Sequence, residues 1–386
     1  MPEIKVNLFS QILNIIDRNM VNKLVRKHQS DKHSKGINTW THLVSMLFCH
    51  LAKVSSLREI SNGLRSATGN LNHLGVETAP CKSSLSYINQ HRGWEVFRDM
   101  YFDLLEVLEP SLALRRQYAS RLRRKIYLMD STVVSLCLSV FDWAHFRTRK
   151  GGVKLHTVLD YDNCLPTFLH VTEARKHDST VAKQVEFPKG AVVVMDRAYL
   201  DFDWLYVLDS IGVFFVTRLK SNVLYETLAR YNEGLAYHLK DEDISLLSPK
   251  GQRQYPKDLR VVKVYDADKQ EEILLLTNNT SWTAQTISGL YKARWEIEIF
   301  FKHIKQVLKI KTFVGTSHNA VMVQVWTAMI TILLLRYLLC KAKYDWSLSN
   351  LVGFLRINLM VKINLWQWLN QPFVRPEQPP PKWSLF

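Results

Sequence analysis

"LYKARWEIEIFFKHIKQ" (residues 290–306) mixes aromatic, cationic and acidic side chains and carries two glutamates two positions apart, Glu296 and Glu298. At about 100° per residue, with Tyr291 at zero, Arg294 falls near 300°, Glu298 near 340°, Lys302 near 20° and Lys305 near 320°. Ile297, Phe300, Phe301, Ile304 and Leu308 gather between about 180° and 280°. The spacing predicts one helix with an apolar stripe for the core and an adjacent stripe of Tyr, Arg, Glu and Lys. Glu296, near about 140°, lies on another side. Glu298 is therefore the candidate for chemistry and Glu296 a surface or supporting residue. Alone, the pattern also fits an amphipathic surface helix in which Glu298 and Lys302 form an i,i+4 ion pair.

Two acids elsewhere change that balance. "KIYLMD" (125–130) and "AVVVMD" (191–196) are apolar runs closed by Asp130 and Asp196. A carboxylate inside a buried strand meets a large desolvation cost, whereas one at a strand's C-terminal end can face a cleft. Each Asp alone also reads as a turn or helix cap. An aspartyl-nucleophile phosphatase needs a second Asp two positions on, and Asp130 is followed by Ser131 and Thr132. That class is excluded. Two strand-end aspartates and a helical glutamate suit a cradle for hard divalent cations, with phosphate completing the coordination. Cations beside such ligands imply a phosphate backbone between them, hence a nucleic-acid substrate.

Composition agrees. The 386 residues carry 51 Lys+Arg against 35 Asp+Glu, a formal net charge of +16, so the chain attracts polyanions. With 47% hydrophobic and 22% charged residues it is globular, long enough for two or three domains. Cys49, Cys81, Cys137, Cys164 and Cys340 lack zinc-site spacing and are expected as reduced thiols. The N-terminal "MPEIKVNLFSQILNIIDRN" has charges inside its apolar stretch, unlike a signal peptide. Residues 320–340 approach membrane-span length, but Gln324 and Arg336 interrupt them, and a buried core helix is expected. A cytoplasmic protein with no membrane partner follows.

Residues 1–118 read as a helical domain. Within it, Ser83 or Ser84 could cap a helix exposing Tyr87, Asn89, Gln90 and Arg92, which fits either a DNA-reading helix-turn-helix or a plain bundle. The basic linker "RRQYASRLRRK" follows. "KIYLMD", "VVSLCL" (133–138) and "VKLHTVLD" (153–160) are three candidate strands. Then come "LPTFLHVTEA", a short helix near "DSTVAKQV", "AVVVMD" and "GVFFVTRL". Interleaved strands and helices predict an α/β core over 119–220 and 277–345. Residues 221–276 read as a β-rich insertion, and 346–386 as a C-terminal helix with a proline-rich tail.

Tyr291, Arg294, Glu298 and Lys305 reproduce, spacing for spacing, the Tyr-x2-Arg-x3-Glu-x6-Lys signature of a family of insertion-sequence DDE transposases (insertion sequence family four). "MDST" at Asp130 and "MDRAYLD" at Asp196 resemble the segments holding that family's first two acids. The resemblance covers nearly the whole chain. It implies a ribonuclease-H-like core, a mixed sheet flanked by helices, with a β-strand insertion between the second Asp and the Glu. The 102-residue interval from Asp196 to Glu298 agrees. It implies cut-and-paste transposition of double-stranded DNA by strand nicking, hairpin formation and strand transfer, by a homodimer holding paired terminal repeats. By similarity, Asp130, Asp196 and Glu298 bind two Mg²⁺, for which Mn²⁺ can substitute. Tyr291, Arg294 and Lys305 would hold phosphates and a flipped base, with Lys302 and Arg197 as further DNA contacts. Lys154 and His156 lie near the site or serve a strand face. The family's base-stacking tryptophan is replaced here by Ile273, leaving Trp282 and Trp295 as candidates. A silent transposase-derived DNA-binding protein and a structure-selective nuclease are the alternative readings.

Overall fold

The computed structural model describes residues 6–34, 36–112, 122–136, 145–147, 150–173, 178–231, 238–266, 270–308 and 313–373. Most of the basic linker, Cys137 and the proline-rich tail lie outside these residues. The chain divides into two compact units, Ala113–Gln306 and Met1–Leu112 with Val307–Phe386.

The first unit is built on a sheet. Its strands are β1 (Ile126–Leu136), β2 (His145–Arg147), β3 (Lys150–Asp160), β4 (Leu165–Glu173), β5 (Val192–Met195), β6 (Phe214–Arg218), β7 (Tyr225–Arg230), β8 (His238–Leu246), β9 (Leu259–Asp266) and β10 (Glu271–Thr277). β4, β3 and β1 pair antiparallel, and β5 and β6 then pair parallel to β1. The resulting order β4-β3-β1-β5-β6, with helices packed on it, is the ribonuclease-H-like arrangement. Beyond β6 the sheet continues through β10, β9, β8 and β7. The insertion therefore extends the core sheet.

Alternation explains the two buried faces. Met129, Val193, Met195 and Phe215 pack in one core with Trp204, Leu205 and Leu208 of the helix Phe202–Ser210. Val192 and Val194, equally buried, point to the other face. Gly212 (φ +77) follows that helix, and the Val213 amide donates back to the Leu208 carbonyl at 2.9 Å, turning the chain straight into β6.

Three expectations change here. "KIYLMD" and "VVSLCL" are one strand, so Asp130 lies within β1, not at its end. β1 keeps pairing with β3 as far as Leu136, which carries the backbone past the acid. The stretch 290–306 is two helices, Ala284–Ala293 and Trp295–Leu308, joined at Arg294. There the Arg294 amide reaches the Tyr291 carbonyl and the Ile297 amide reaches Arg294, both at 3.1 Å, which tightens the helical path without turning the polar stripe away. The helix His318–Lys341, expected in the catalytic core, groups with the N-terminal helices.

That second unit is helical. Numbered through the whole chain, its helices are α1 (Leu8–Leu13), α2 (Arg18–His28), α3 (Thr39–Ala52), α4 (Leu57–Ser66), α5 (Lys82–His91), α6 (Glu95–Leu112), α12 (His318–Lys341), α13 (Leu348–Asn358) and α14 (Leu365–Asn370). In the sheet unit they are α7 (Asp178–Ala182), α8 (Phe202–Ser210), α9 (Pro249–Gln254), α10 (Ala284–Ala293) and α11 (Trp295–Leu308). α12 is apolar and long enough to cross a membrane, but it is mostly buried, packing on α3, α5, α6 and α13. Cys81, not Ser83 or Ser84, caps α5. The supposed DNA-reading face of α5 divides. Tyr87 and Gln90 are exposed, but Asn89 is buried and its Oδ1 accepts from His42 Nε2 at 2.7 Å. Arg92 is buried and donates to the carbonyls of Ser30, Ile37 and Asn38. Helical packing claims those two side chains because each finds buried partners that offset its desolvation. Among the described residues, Cys49, Cys81, Cys164 and Cys340 form no disulfide.

Candidate active site

The parallel pairing of β1 with β5 ends at Met129 opposite Met195. Asp130 and Asp196 are the next residues on each strand. Neighbouring strands stand about 4.8 Å apart, so the two acids emerge side by side where the sheet opens. Asp130 Oδ1 accepts the Ser131 amide and Asp196 Oδ1 accepts the Arg197 amide, each at 2.8 Å. The same local bond orients both carboxylates. The Thr217 hydroxyl of β6 donates to the Asp196 carbonyl at 3.3 Å, fixing the end of β5.

α11 supplies the third acid. Ile297, Phe300, Phe301 and Ile304 are buried and anchor it, as the helical spacing predicts. Arg294, at the α10–α11 junction, places one amino group 2.7 Å from Glu298 Oε1 and the other 3.2 Å from Asp130 Oδ2. Its side chain is 12% exposed, against 20% for Asp130 and 35% for Glu298. The guanidinium lies 5.6 Å from the centre of the Tyr291 ring. Burial pushes the Asp130 carboxyl up to about 6; the Ser131 amide and Arg294 oppose the rise, while Asp196 and Glu298 add to it. Burial also raises the Tyr291 phenol.

Asp130, Ser131, Thr132, Glu298, Phe301, Lys302, Lys305 and Gln306 line an open cleft of about 580 Å³. Lys302 and Lys305 are exposed along it, and Arg197 is exposed after Asp196. Lys154 and His156 are on β3 and face Asp178, at 3.4 and 3.2 Å. Glu296 turns away, with Cys164 Sγ 3.8 Å from its Oε2. Ile273 is buried in β10. The Trp282 ring packs on Phe214 at 5.3 Å, whereas Trp295 is 53% exposed. Asp178, Ser131 and Tyr199 escaped the sequence reading, since nothing in their spacing distinguishes them from capping or core residues.

Mutually repelling carboxylates with hard oxygen donors have the chemistry that divalent cations require. Among the described residues no three potential ligands converge on one point as arranged. The Arg294 guanidinium stands between Asp130 and Glu298 and supplies the neutralising charge there. The donor set fits a metal, and the side chains must rearrange to take one.

Comparison with known proteins supplies the lineage. A family model described as the transposase DDE domain matches residues 96–334. Another, described only as a domain of unknown function, matches residues 5–77. A Sinorhizobium fredii protein named as a transposase is 34% identical over 262 residues, 67% of this chain and 71% of its own. A transposase of an insertion sequence element from Geobacillus stearothermophilus is 29% identical over 264 residues, 68% of this chain and 70% of its own. One from Synechocystis is 24% identical over 330 residues, 83% of this chain and 89% of its own. With the family model spanning more than half its length, the chain belongs to the DDE transposases of the insertion-sequence kind.

Proposed function

We propose that this DNA transposase moves its element by cut and paste, nicking double-stranded DNA at the terminal repeats, forming a hairpin and joining the freed end to target DNA. The register pairing of Met129 with Met195, which sets Asp130 beside Asp196, with Glu298 linked to Asp130 through Arg294, supports this reading most directly. Asp130, Asp196 and Glu298 would hold two Mg²⁺, with Mn²⁺ able to substitute. Bound there, the ions would supply Lewis-acid activation of the attacking oxygen and stabilisation of the leaving one.

The remaining roles belong to the chain's own side chains. Arg294 holds the carboxylates apart from one another in charge and passes to a backbone phosphate when DNA enters. Lys302, Lys305 and Arg197 grip phosphates along the cleft, positioning the strand without reading its sequence. Tyr291 supports Arg294 from one side. Trp295, exposed beside Arg294, is the aromatic that can stack on an unstacked base, since Trp282 and Ile273 are committed to packing. The helical unit contributes to binding the element's ends, two copies of the chain act together, and the work takes place in the prokaryotic cytoplasm at the nucleoid.

Cleavage of candidate element ends in Mg²⁺ and Mn²⁺ tests the reading, with wild type beside Asp196→Ala and Glu298→Gln. Wild type should nick and the variants should bind without nicking. Equal cutting by all three proteins would remove the assigned site. Wild type that binds ends but cuts with neither metal would leave a silent DNA-binding protein. Nicks without hairpins or joined products would make the chain a nuclease.

A further inference from the structure

The row of side chains that begins with Asp130 and Asp196 continues onto β6. β5 and β6 pair parallel with Met195 opposite Thr217, just as Met129 stands opposite Met195 across β1 and β5. The next residues on these three neighbouring strands are Asp130, Asp196 and Arg218. Asp196 keeps an extended backbone past the end of β5. Register partners point to one face, so the three side chains share a face, about 4.8 Å apart from strand to strand. Met129, Met195 and Phe215 pack in the core on the α8 side. Alternation turns Asp130, Asp196 and Arg218 to the other side, where α10 lies on β5, β6 and β10. Arg294, which bonds to Asp130, closes α10 on that side.

Arg218 is held there by a carboxylate of the insertion. Its Nη1 lies 3.0 Å from Glu271 Oε1 and its Nη2 3.3 Å from Oε2, a two-pronged pair between β6 and the start of β10. In register Arg218 is the partner of Leu275. The guanidinium therefore stretches along β10 toward Glu271, beyond the last residue of β6 and in the direction in which the sheet opens at Asp196. The pair engages two of the five N–H groups of the guanidinium and fixes the plane in which the others lie. Both side chains are partly exposed, and ion pairs of that exposure add little to stability. A preset, planar guanidinium beside two acids that receive a DNA strand is suited to taking a phosphate.

We propose that Arg218 is a further DNA contact, taking a backbone phosphate of the strand that lies over Asp130 and Asp196, and that Glu271 aims it. This rests on the acids being the cleavage site, as proposed above. Lys302 and Lys305 reach the cleft from α11 and Arg197 from the turn after Asp196, whereas Arg218 reaches it from β6. Through Glu271 the extended part of the sheet has a direct hold on the cleft.

The test measures binding of the full-length protein in EDTA to a duplex carrying a candidate element end, and to the same duplex scrambled, over a range of salt. Nicking of the first duplex in Mg²⁺ is followed alongside. The proteins are wild type, Arg218→Ala, Arg218→Lys, Glu271→Ala and Asp196→Ala, each with its melting temperature. Loss of one phosphate contact lowers the slope of log affinity against log salt by about one. Arg218→Ala should show that drop on both duplexes. Arg218→Lys and Glu271→Ala should keep the wild-type slope, because each retains the cation. Arg218→Ala and Glu271→Ala should both nick about tenfold more slowly, the second because the cation is no longer aimed.

A wild-type slope in Arg218→Ala would overturn the proposal. So would a slope lowered equally by Arg218→Lys or Glu271→Ala, since the ion pair would then serve only the fold. Wild-type nicking in Glu271→Ala would overturn its aiming role. Should Arg218→Ala not fold, Arg218→Gln, which can still donate to Glu271, gives the same comparison. Asp196→Ala separates the two ideas. Wild-type nicking in that variant removes the cleavage-site reading. Loss of nicking there, with an unchanged slope in Arg218→Ala, removes Arg218 alone.

Discussion

Asp130 and Asp196 follow directly on Met129 and Met195, which face each other across the last rung of the parallel β1–β5 pair. Two like charges are thereby brought together by backbone pairing alone, and the fold carries their repulsion. Replacing Asp130 by Asn should lower DNA cleavage on the order of a thousandfold, with end binding retained in a gel-shift assay.

The same substitution should stabilise the metal-free protein. Asp130 titrates near 6 in the fold, above the usual carboxylate value, so between about pH 4 and 6 the folded state binds more protons than the unfolded chain. Stability therefore falls as pH rises through that window. Asn carries no such penalty, and Asp130→Asn in EDTA should be more stable by about 1–2 kcal/mol at pH 7.5. The gain should shrink toward pH 4, as followed by urea denaturation.

Arg294 should behave in the opposite sense. Its guanidinium joins Asp130 and Glu298, and Arg294→Ala leaves those carboxylates partly buried and uncompensated. A loss of about 2 kcal/mol is expected in EDTA. Added Mg²⁺ should recover more of the melting temperature in this variant than in wild type, because binding to the folded state alone stabilises it.

Arg260 holds the extended part of the sheet to the chain leading into α10. It makes a two-pronged ion pair with buried Asp241 at 2.7 Å and donates to the carbonyls of Thr280 (2.9 Å) and Trp282 (2.6 Å). Arg260→Ala should cost about 3 kcal/mol, since it strands a buried carboxylate. Lys in its place should recover only part, because an ammonium cannot make the paired contact. Chemical denaturation of the three proteins measures both.

In the helical unit, His42 gives a pH dependence of another sign. Burial, with Arg92 nearby, lowers its pKa to about 3 against the opposing bond to Asn89. Between about pH 6.5 and 3 the unfolded chain takes up a proton that the folded one refuses, so stability falls as pH falls. His42→Gln, which keeps a polar group and cannot titrate, should flatten the decline between pH 6.5 and 5. An unchanged slope would show that His42 is not its source.

The sequence by itself determined the core strands, the buried stripe of α11 and which of its two glutamates shares a side with Arg294. Those follow from periodicity, which local backbone geometry imposes on any chain. It also carried the family signature, because signature spacing is a property of the chain alone. Other features depended on partners distant in sequence. β1 runs on past Asp130 because β3 offers it hydrogen bonds. Asn89 and Arg92 are inside because His42 and three carbonyls receive them. α12 joins the helical unit because an all-apolar helix packs wherever apolar partners are in reach, and its own pattern names none. The surroundings of Asp178 were invisible for the same reason: Lys154 and His156, which it meets at 3.4 and 3.2 Å, come to one face only through strand pairing.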